Sequence, residues 1–142
     1  MRIVPALLLA ALSAAAAAQL AVAELTIGMH LVRAEVADSP ATRERGLMQR
    51  PSMAPNAGMV FVFEQDARHC MWMKNTLIPL SVAFIDAAGA IVNIADMQPH
   101  SEQSHCAARP ARYALEMNRG WFAERGVKPG ARLRGLDKLS PR

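Results

Sequence analysis

The alternation of apolar and polar residues predicts a chain of short β-strands. Val32, Ala34 and Val36 alternate with charged residues inside a predicted strand over 25–37, the period-two pattern of a half-buried strand. Residues 59–63 (MVFVF) form an apolar run of strand length, so we expect them in the core. Residues 80–85 and 90–94 flank the turn at 86–89 and predict a β-hairpin. Further strands are predicted over 70–73, 113–117 and 132–136.

Two short helices are predicted between these strands. Ser39 before Pro40 marks the start of a helix that ends at Gly46. Asn118 is predicted to cap a second helix over 119–125. The elements together predict a mainly β (α+β) fold, a small antiparallel barrel-like sheet of five to seven short strands with two short helices. The polar stretch over 98–110 is long for a structureless loop, which makes it a place to look for function or for a covalent tie.

The beginning of the chain has the pattern of a secretory signal peptide. Arg2 supplies a positive charge, an alanine-rich apolar run follows, and the sequence Ala-Val-Ala over 21–23 is a small-x-small cleavage site. Cleavage after Ala23 makes residues 1–23 the signal peptide and residues 24–142 a single domain. Cleavage after Ala18 is the alternative.

An uncleaved membrane anchor is the less favoured interpretation of this segment. Alanine partitions weakly into a bilayer, and Gln19 interrupts the apolar run at about the length that a membrane span needs. We therefore expect a periplasmic or secreted protein with no stable membrane span in the mature chain.

Length and composition limit the remaining possibilities. The chain has 142 residues, of which 52% are hydrophobic and 20% charged, so it is long enough for one ordinary core and too short for a two-domain enzyme. The net charge is +4, and residues 107–142 hold nine basic and three acidic residues. This basic tail could face an anion, although basic residues spread over solvated surfaces are the simpler explanation. In an exported protein a nucleic-acid partner is not expected, and the sequence does not indicate an oligomeric state.

Cys70 and Cys106 are the only cysteines. An even number of cysteines in an oxidising compartment predicts a disulfide between them. Two free thiols, or two thiolates that hold a soft metal, are the alternatives.

Five segments in sequence order resemble the pattern of the DUF192 family. They are 45–50 (RGLMQR), 58–63 (GMVFVF), 71–80 (MWMKNTLIPL), 84–89 (FIDAAG) and 111–116 (ARYALE). The resemblance spans almost the whole predicted mature chain and implies a small, mostly β domain that is often exported in bacteria. It implies little about activity. Cys70 stands where the family pattern is more often aromatic, so a disulfide would be a feature of a subgroup.

The segment from Trp72 to Thr76 carries the predicted ligand-binding surface. Trp72 offers a flat apolar platform, Lys74 a positive charge, and the amide and hydroxyl that follow offer hydrogen bonds, a combination that suits a sugar or a small anion. The predicted ligand-binding residues are Trp72, Lys74, Asn75, Thr76, Arg45 and Arg112. The structural alternative is that Asn75 and Thr76 only stabilise a turn before Pro79. Arg112 and Glu116 lie four apart, so on a strand they would share a face and could pair or flank a pocket.

A copper site is the alternative from another functional class. On a strand, His69, Met71 and Met73 would share one face, and thioether and imidazole donors suit Cu(I). His105, with His100 and Cys106 in the same polar stretch, could complete such a site. The simpler explanation is that the methionines fill gaps in the core.

The sequence gives little support for catalysis, and no cofactor is predicted. The chain contains no Gly-x-Ser-x-Gly, His-Glu-x-x-His, phosphate-loop or dinucleotide pattern. A thiol-dependent enzyme is a weaker alternative that would need Cys70 or Cys106 as a nucleophile. We therefore expect an exported cell-envelope domain that binds a small polar or anionic ligand or acts as an accessory module, rather than an enzyme.

Overall fold

The computed structural model describes residues 19–142, so the signal peptide predicted over residues 1–23 lies mostly outside the described residues. The strands in this part of the chain are β1 Val22–Ile27, β2 His30–Ala37, β3 Ala57–Ala67, β4 Cys70–Met71, β5 Leu80–Ile85, β6 Ile91–Met97, β7 His105–Cys106, β8 Ala111–Asn118 and β9 Leu133–Arg134. The helices are α1 Pro40–Arg45 and α2 Trp121–Glu124, and a short 3-10 helix spans Leu136–Lys138.

Seven of the strands form one curled sheet in the order β6-β5-β8-β3-β2-β1-β9. Its two ends approach each other where Ala90 bridges Arg132 and the Leu133 N–H donates to the Gly89 carbonyl at 2.8 Å. The sheet is therefore barrel-like, and β4 and β7 form a separate two-stranded sheet. The predicted mainly β class with two short helices is confirmed.

One strand pair differs from the predicted antiparallel pattern. β2 and β3 run parallel, whereas every other pair in this seven-stranded sheet is antiparallel. The physical reason is the connection between them. Helix α1 and the segment after it carry the chain back to the end from which β2 started, and this return lies over one face of the sheet.

The strand predicted over 25–37 is interrupted and forms a hairpin. Gly28 adopts a positive φ of 57°, and the chain reverses there, so that β1 pairs with β2 in register from Val22 opposite Glu35 to Ile27 opposite His30. The alternation of Val32, Ala34 and Val36 holds within β2, where all three side chains are buried.

The second predicted helix is shorter than expected. It covers Trp121–Glu124 instead of residues 119–125, because Gly120 adopts a left-handed conformation directly before it. Asn118 does not cap this helix, since its side-chain amide donates to the carbonyls of Met53 and Ala54 at 3.0 and 3.3 Å. The last strand is also shorter than the predicted 132–136, because Gly135 turns the chain into the 3-10 helix.

The sheet separates two apolar clusters. The concave cluster inside the curl includes Val60, Val62 and Leu115 together with Trp121 of α2. The convex cluster includes Met59, Phe61, Val82 and Ala114, which point to the opposite face of the same strands, together with Leu47 and Met73 from the segments that cover them. The candidate site lies on the convex side.

Replacing Ser39 with alanine should lower the free energy of unfolding by about 1 kcal/mol. The Ser39 hydroxyl accepts a hydrogen bond from the Thr42 N–H at 3.3 Å, and the Thr42 hydroxyl accepts one from the Ser39 N–H at 3.0 Å, so both ends of a capping box are present. Urea unfolding measures the change. Ser52→Ala, at an exposed serine outside any helix or strand, is the matched control, and an equal loss in both variants would contradict the capping role.

Candidate functional site

A cavity of about 270 Å³ opens on the convex side of the sheet. One wall is the end of α1 and the segment after it, and the opposite wall is β4 with the turn that follows. The base includes Phe61 and Phe63 of β3 and Glu116 of β8. Gly46 is required in the first wall, because it has a positive φ of 48° and a Cβ there would lie 3.3 Å from the Phe61 ring.

The second wall is tied down by a disulfide. Cys70 of β4 and Cys106 of β7 are bonded, with their Cα atoms 4.0 Å apart, which confirms the predicted pairing. Three backbone hydrogen bonds add to this tie: Met73 N–H to the Ser101 carbonyl at 2.9 Å, His100 N–H to the Thr76 carbonyl at 3.0 Å, and Ala107 N–H to the His69 carbonyl at 2.9 Å. The polar stretch over 98–110 therefore holds β4 and the turn after it in position at the wall of the cavity.

Four of the six predicted ligand-binding residues line this one cavity. They are Trp72, Lys74, Thr76 and Arg45. Trp72 is 44% exposed despite its size, and the Lys74 Nζ lies 5.3 Å from the centroid of its ring, a cation–π contact. The fold thus brings together an aromatic side chain, a hydroxyl and two cations at one cavity.

Asn75 and Arg112 do not line the cavity. Asn75 has a positive φ of 54°, and its carbonyl accepts the Gln49 N–H at 2.9 Å, so it forms the turn that was the structural alternative. Thr76 serves the same turn by donating from its hydroxyl to the Lys74 carbonyl at 3.1 Å. The Arg112 side chain instead donates to Asp66 at 2.7 Å.

The burial of residues 69–74 follows the predicted alternation of faces. Regular strand structure ends at Met71 instead of continuing to Met73, because the chain turns at Lys74 and Asn75. His69, Met71 and Met73 are partly or fully buried, whereas Cys70, Trp72 and Lys74 are exposed. Met71 also lines the cavity beside Cys70 and Trp72.

Positive charge predominates at the wall of the cavity. The charged residues at its wall are Arg43, Glu44, Arg45 and Lys74. Arg43 is held in place by hydrogen bonds to the Val62 carbonyl at 2.9 Å and to Glu64 at 3.3 Å. The ion pairs found among residues 19–142 include neither Arg45 nor Lys74, so these two cations are available to a ligand.

Glu116 places a buried carboxyl in the cavity. Its residue surface is only 4% exposed, and its cross-strand neighbours, Met59 of β3 and Val82 of β5, are apolar. Burial without a compensating hydrogen bond raises the pKa of Glu116 from an ordinary 4.5 to about 8. A titratable group perturbed by burial inside a cavity is a common mark of a functional site.

Glu116 was not among the ligand-binding residues predicted from sequence, and Arg43, Phe61 and Phe63 were also missed. A signal for Glu116 was present: it is the only charged residue in the apolar strand segment over 113–117. The face that it shares with Arg112 suggested a pair or a pocket. The structure shows that Glu116 lines the cavity, while Arg112 pairs elsewhere.

The basic tail contributes no cation to this cavity. Four of its arginines instead form ion pairs in which a side-chain nitrogen lies within 4 Å of a carboxylate oxygen. The pairs are Arg112 with Asp66, Arg119 with Asp96, Arg125 with Glu124, and Arg142 with Asp38. The positive potential at the site therefore comes from the end of α1 and from Lys74.

The residues of the alternative copper site are brought together only in part. Met73 is fully buried in the convex core, and the His69 ring stacks on Phe63 with centroids 3.8 Å apart. Met71 faces His105 across the small sheet. Among residues 19–142, no three His, Cys, Asp or Glu side chains are grouped as metal ligands.

The disulfide argues against the two alternatives that required unbonded cysteines, which were a thiol-dependent enzyme and a soft-metal site built on two thiolates. Both cysteines are bonded, which leaves no thiol for nucleophilic attack and no thiolate for a soft metal. In addition, within residues 19–142, no helix is both long and apolar enough to cross a bilayer.

Comparison with known proteins is consistent with this architecture. The model of the family described as DUF192, Uncharacterized ACR (COG1430), matches residues 23–135. A crystal structure from Sinorhizobium meliloti 1021, provisionally described as a transcription regulator, is 38% identical with a TM-score of 0.80, over 85% of this chain and 98% of that one. A crystal structure of a protein of unknown function from Novosphingobium aromaticivorans is 33% identical with a TM-score of 0.78, over 81% of this chain and 86% of that one. No curated protein matches. The extent of the family match, together with these two similar structures, shows that the chain belongs to the DUF192 family.

Proposed function

We propose that this protein is an exported cell-envelope domain that binds a small polar or anionic ligand in the cavity between α1 and β4. The observation that carries the proposal is the convergence of Trp72, Lys74, Thr76 and Arg45 on one cavity that also contains a buried carboxyl. Concave sites with apolar walls and a few converging polar groups are typical of small-molecule binding.

Export is supported by the signal-peptide pattern and by the disulfide, because such bonds persist mainly in oxidising compartments. The structure also bears on where the signal would be cut. β1 begins at Val22, and the Ala21 carbonyl accepts the Val36 N–H at 2.8 Å. Cleavage after Ala23 would remove part of this strand, whereas cleavage after Ala18 would keep it whole. We therefore favour the cut after Ala18.

Ligand binding is supported by the way the cavity is built. The two cations at its wall lack carboxylate partners in the described part of the chain, and Trp72 stays exposed although a tryptophan gains much by burial. The wall that carries Trp72 is fixed by the disulfide and by backbone hydrogen bonds. A fixed wall loses little conformational entropy when a ligand binds.

Lys74→Ala should weaken ligand binding by roughly tenfold, because it removes a charge-assisted contact and the cation beside Trp72. The measurement is an NMR titration of the two tryptophan indole N–H signals with the low-molecular-weight fraction of a periplasmic extract. The chemical shift of the Trp72 indole should change in the wild type, while that of buried Trp121 should not.

Lys138→Ala is the matched control, since it removes the same charge at an exposed position away from the cavity. This variant should respond to the extract as the wild type does. The proposal is wrong if the Trp72 signal does not move, or if both lysine variants lose the response equally.

A further inference from the structure

We propose that the ligand is a small organic carboxylate with a flat apolar body, and that its oxyanion accepts a hydrogen bond from the protonated carboxyl of Glu116. This inference rests on the proposed function and adds the chemical class of the ligand. It assigns Glu116 as the group that distinguishes an anion from other polar molecules.

The position of Glu116 leaves its carboxyl only the cavity as a polar surrounding. β8 alternates between the two faces of the sheet, so Leu115 and Met117 enter the concave cluster while Ala114 and Glu116 point to the convex side. Met59 and Val82 flank Glu116 on the neighbouring strands and offer no hydrogen bond. The small exposed part of Glu116 opens into the cavity.

A buried carboxyl in this position is a hydrogen-bond donor at neutral pH. Because its pKa lies at about 8, most molecules carry the proton at pH 7. A protonated carboxyl has one O–H to donate, and an O–H bonded to an oxyanion is among the stronger hydrogen bonds in proteins. Apolar sites that keep a carboxylic acid neutral are known to use it as a donor in this way.

The other charges around the cavity favour an anion over a cation. Arg43, Glu44 and Arg45 face it from the end of α1, and Lys74 faces it from the turn after β4. β3 and β5 present no charged side chain to it, although His69 stacks on Phe63 at its edge. With Glu116 protonated, this set is net positive. A cationic ligand would be repelled by three basic side chains and could pair with Glu116 only after the carboxyl had lost its proton.

The apolar part of the cavity suits a planar body. Phe61 and Phe63 lie at its base, and Trp72 and Met71 lie on the wall beside them. Aromatic rings pack well on such surfaces in offset or edge-to-face arrangements. The volume of about 270 Å³ restricts the ligand to a small molecule.

Three probes of nearly equal shape test the charge preference: benzoate, benzamide and benzamidine, which carry an anionic, a neutral and a cationic head group on the same ring. Each is titrated into the full chain at pH 6.5 and pH 9 with the Trp72 indole signal as the readout. Benzoate should bind most tightly at pH 6.5. Its affinity should fall about tenfold at pH 9, because only about a tenth of Glu116 then retains the proton.

Two variants separate Glu116 from other groups that titrate. Glu116→Gln keeps a donor that does not titrate, so the tenfold pH dependence of benzoate binding should disappear. Glu116→Leu has a similar volume without a donor and should weaken benzoate binding at pH 6.5 by roughly ten- to a hundredfold. Circular dichroism confirms that both variants are folded.

The outcomes distinguish this inference from the proposed function beneath it. Benzamidine binding more tightly than benzoate at Trp72, or benzoate affinity that does not fall between pH 6.5 and pH 9, overturns the carboxylate assignment and leaves the binding site in place. If none of the three probes moves the Trp72 signal, the carboxylate assignment is wrong, and the proposed function is then judged separately by whether the periplasmic extract moves the same signal.

Discussion

Glu116→Gln should remove a pH dependence of stability that amounts to about 5 kcal/mol between pH 4.5 and pH 8. The pKa of Glu116 is higher in the folded chain than its ordinary value, so the folded state holds the proton more tightly than the unfolded state does. This stabilisation is fully present below about pH 4.5 and is lost progressively as the pH rises to about 8. At pH 9 the glutamine variant should be the more stable protein, since it does not bury a charge.

The measurement is the free energy of urea unfolding of both proteins at pH 5, 7 and 9. The difference between variant and wild type isolates Glu116, because other titrating groups contribute equally to both proteins. Glu102→Gln, at an exposed glutamate in the polar stretch, is the control and should differ from wild type by less than about 0.5 kcal/mol at each pH. A constant difference between Glu116→Gln and wild type across the three pH values would show that the carboxyl is not buried as described.

Burying the carboxyl of Glu116 costs free energy when it is charged, and this cost is the reason that we associate Glu116 with function. A leucine at position 116 would fill the same space among Met59 and Val82 without an unpaired polar group, and core positions of this kind are usually apolar. Natural proteins tolerate such destabilising groups mainly where activity needs them. The same proton that stabilises the fold is the one that we assign to ligand recognition, so stability and binding should respond to pH in the same range.

Local patterns in the sequence predicted most of the fold, because neighbouring residues determine them. The apolar run at 59–63, the hairpin around Asp86 and the Ser39 cap all depend on residues close in sequence, and all three are present. The parallel pairing of β2 with β3 could not be predicted in this way. It depends on how the 19-residue connection between them, which runs from Asp38 to Asn56, packs on the sheet.

The candidate site was predicted only in part, because some of its residues are close in sequence and others are brought together only by the sheet. Trp72, Lys74 and Thr76 lie in one short segment, so their proximity follows from the sequence itself. Glu116 and Phe61 reach the cavity from strands that pair across the sheet, and only the register of those strands places them together. Met71 also lines the cavity although it is more buried than Cys70 and Trp72, and the alternation of faces in the sequence did not predict this contact.

Loss of the disulfide should destabilise the protein by about 4 kcal/mol. In the chain-entropy model, a bond across 36 residues restricts the unfolded chain by about this amount. Removing the bond should also loosen the wall of the cavity, since β4 and β7 have only two residues each to hold them together. We expect the double variant Cys70→Ser, Cys106→Ser to show both effects, because it leaves no unpaired thiol.

Urea unfolding gives the global change, and amide hydrogen exchange gives the local one. Exchange should increase most at residues 70–76, beyond what the loss of global stability produces in β3 and β8. Wild type unfolded in the presence of a reductant should match the double variant, which separates the covalent bond from any effect of the serines. A double variant within about 1 kcal/mol of oxidised wild type would show that backbone hydrogen bonds and packing suffice to hold the wall, since the Met73, Thr76 and His69 backbones already bond to the polar stretch. A loss near 4 kcal/mol would instead show that the bond supports both the fold and the position of Trp72.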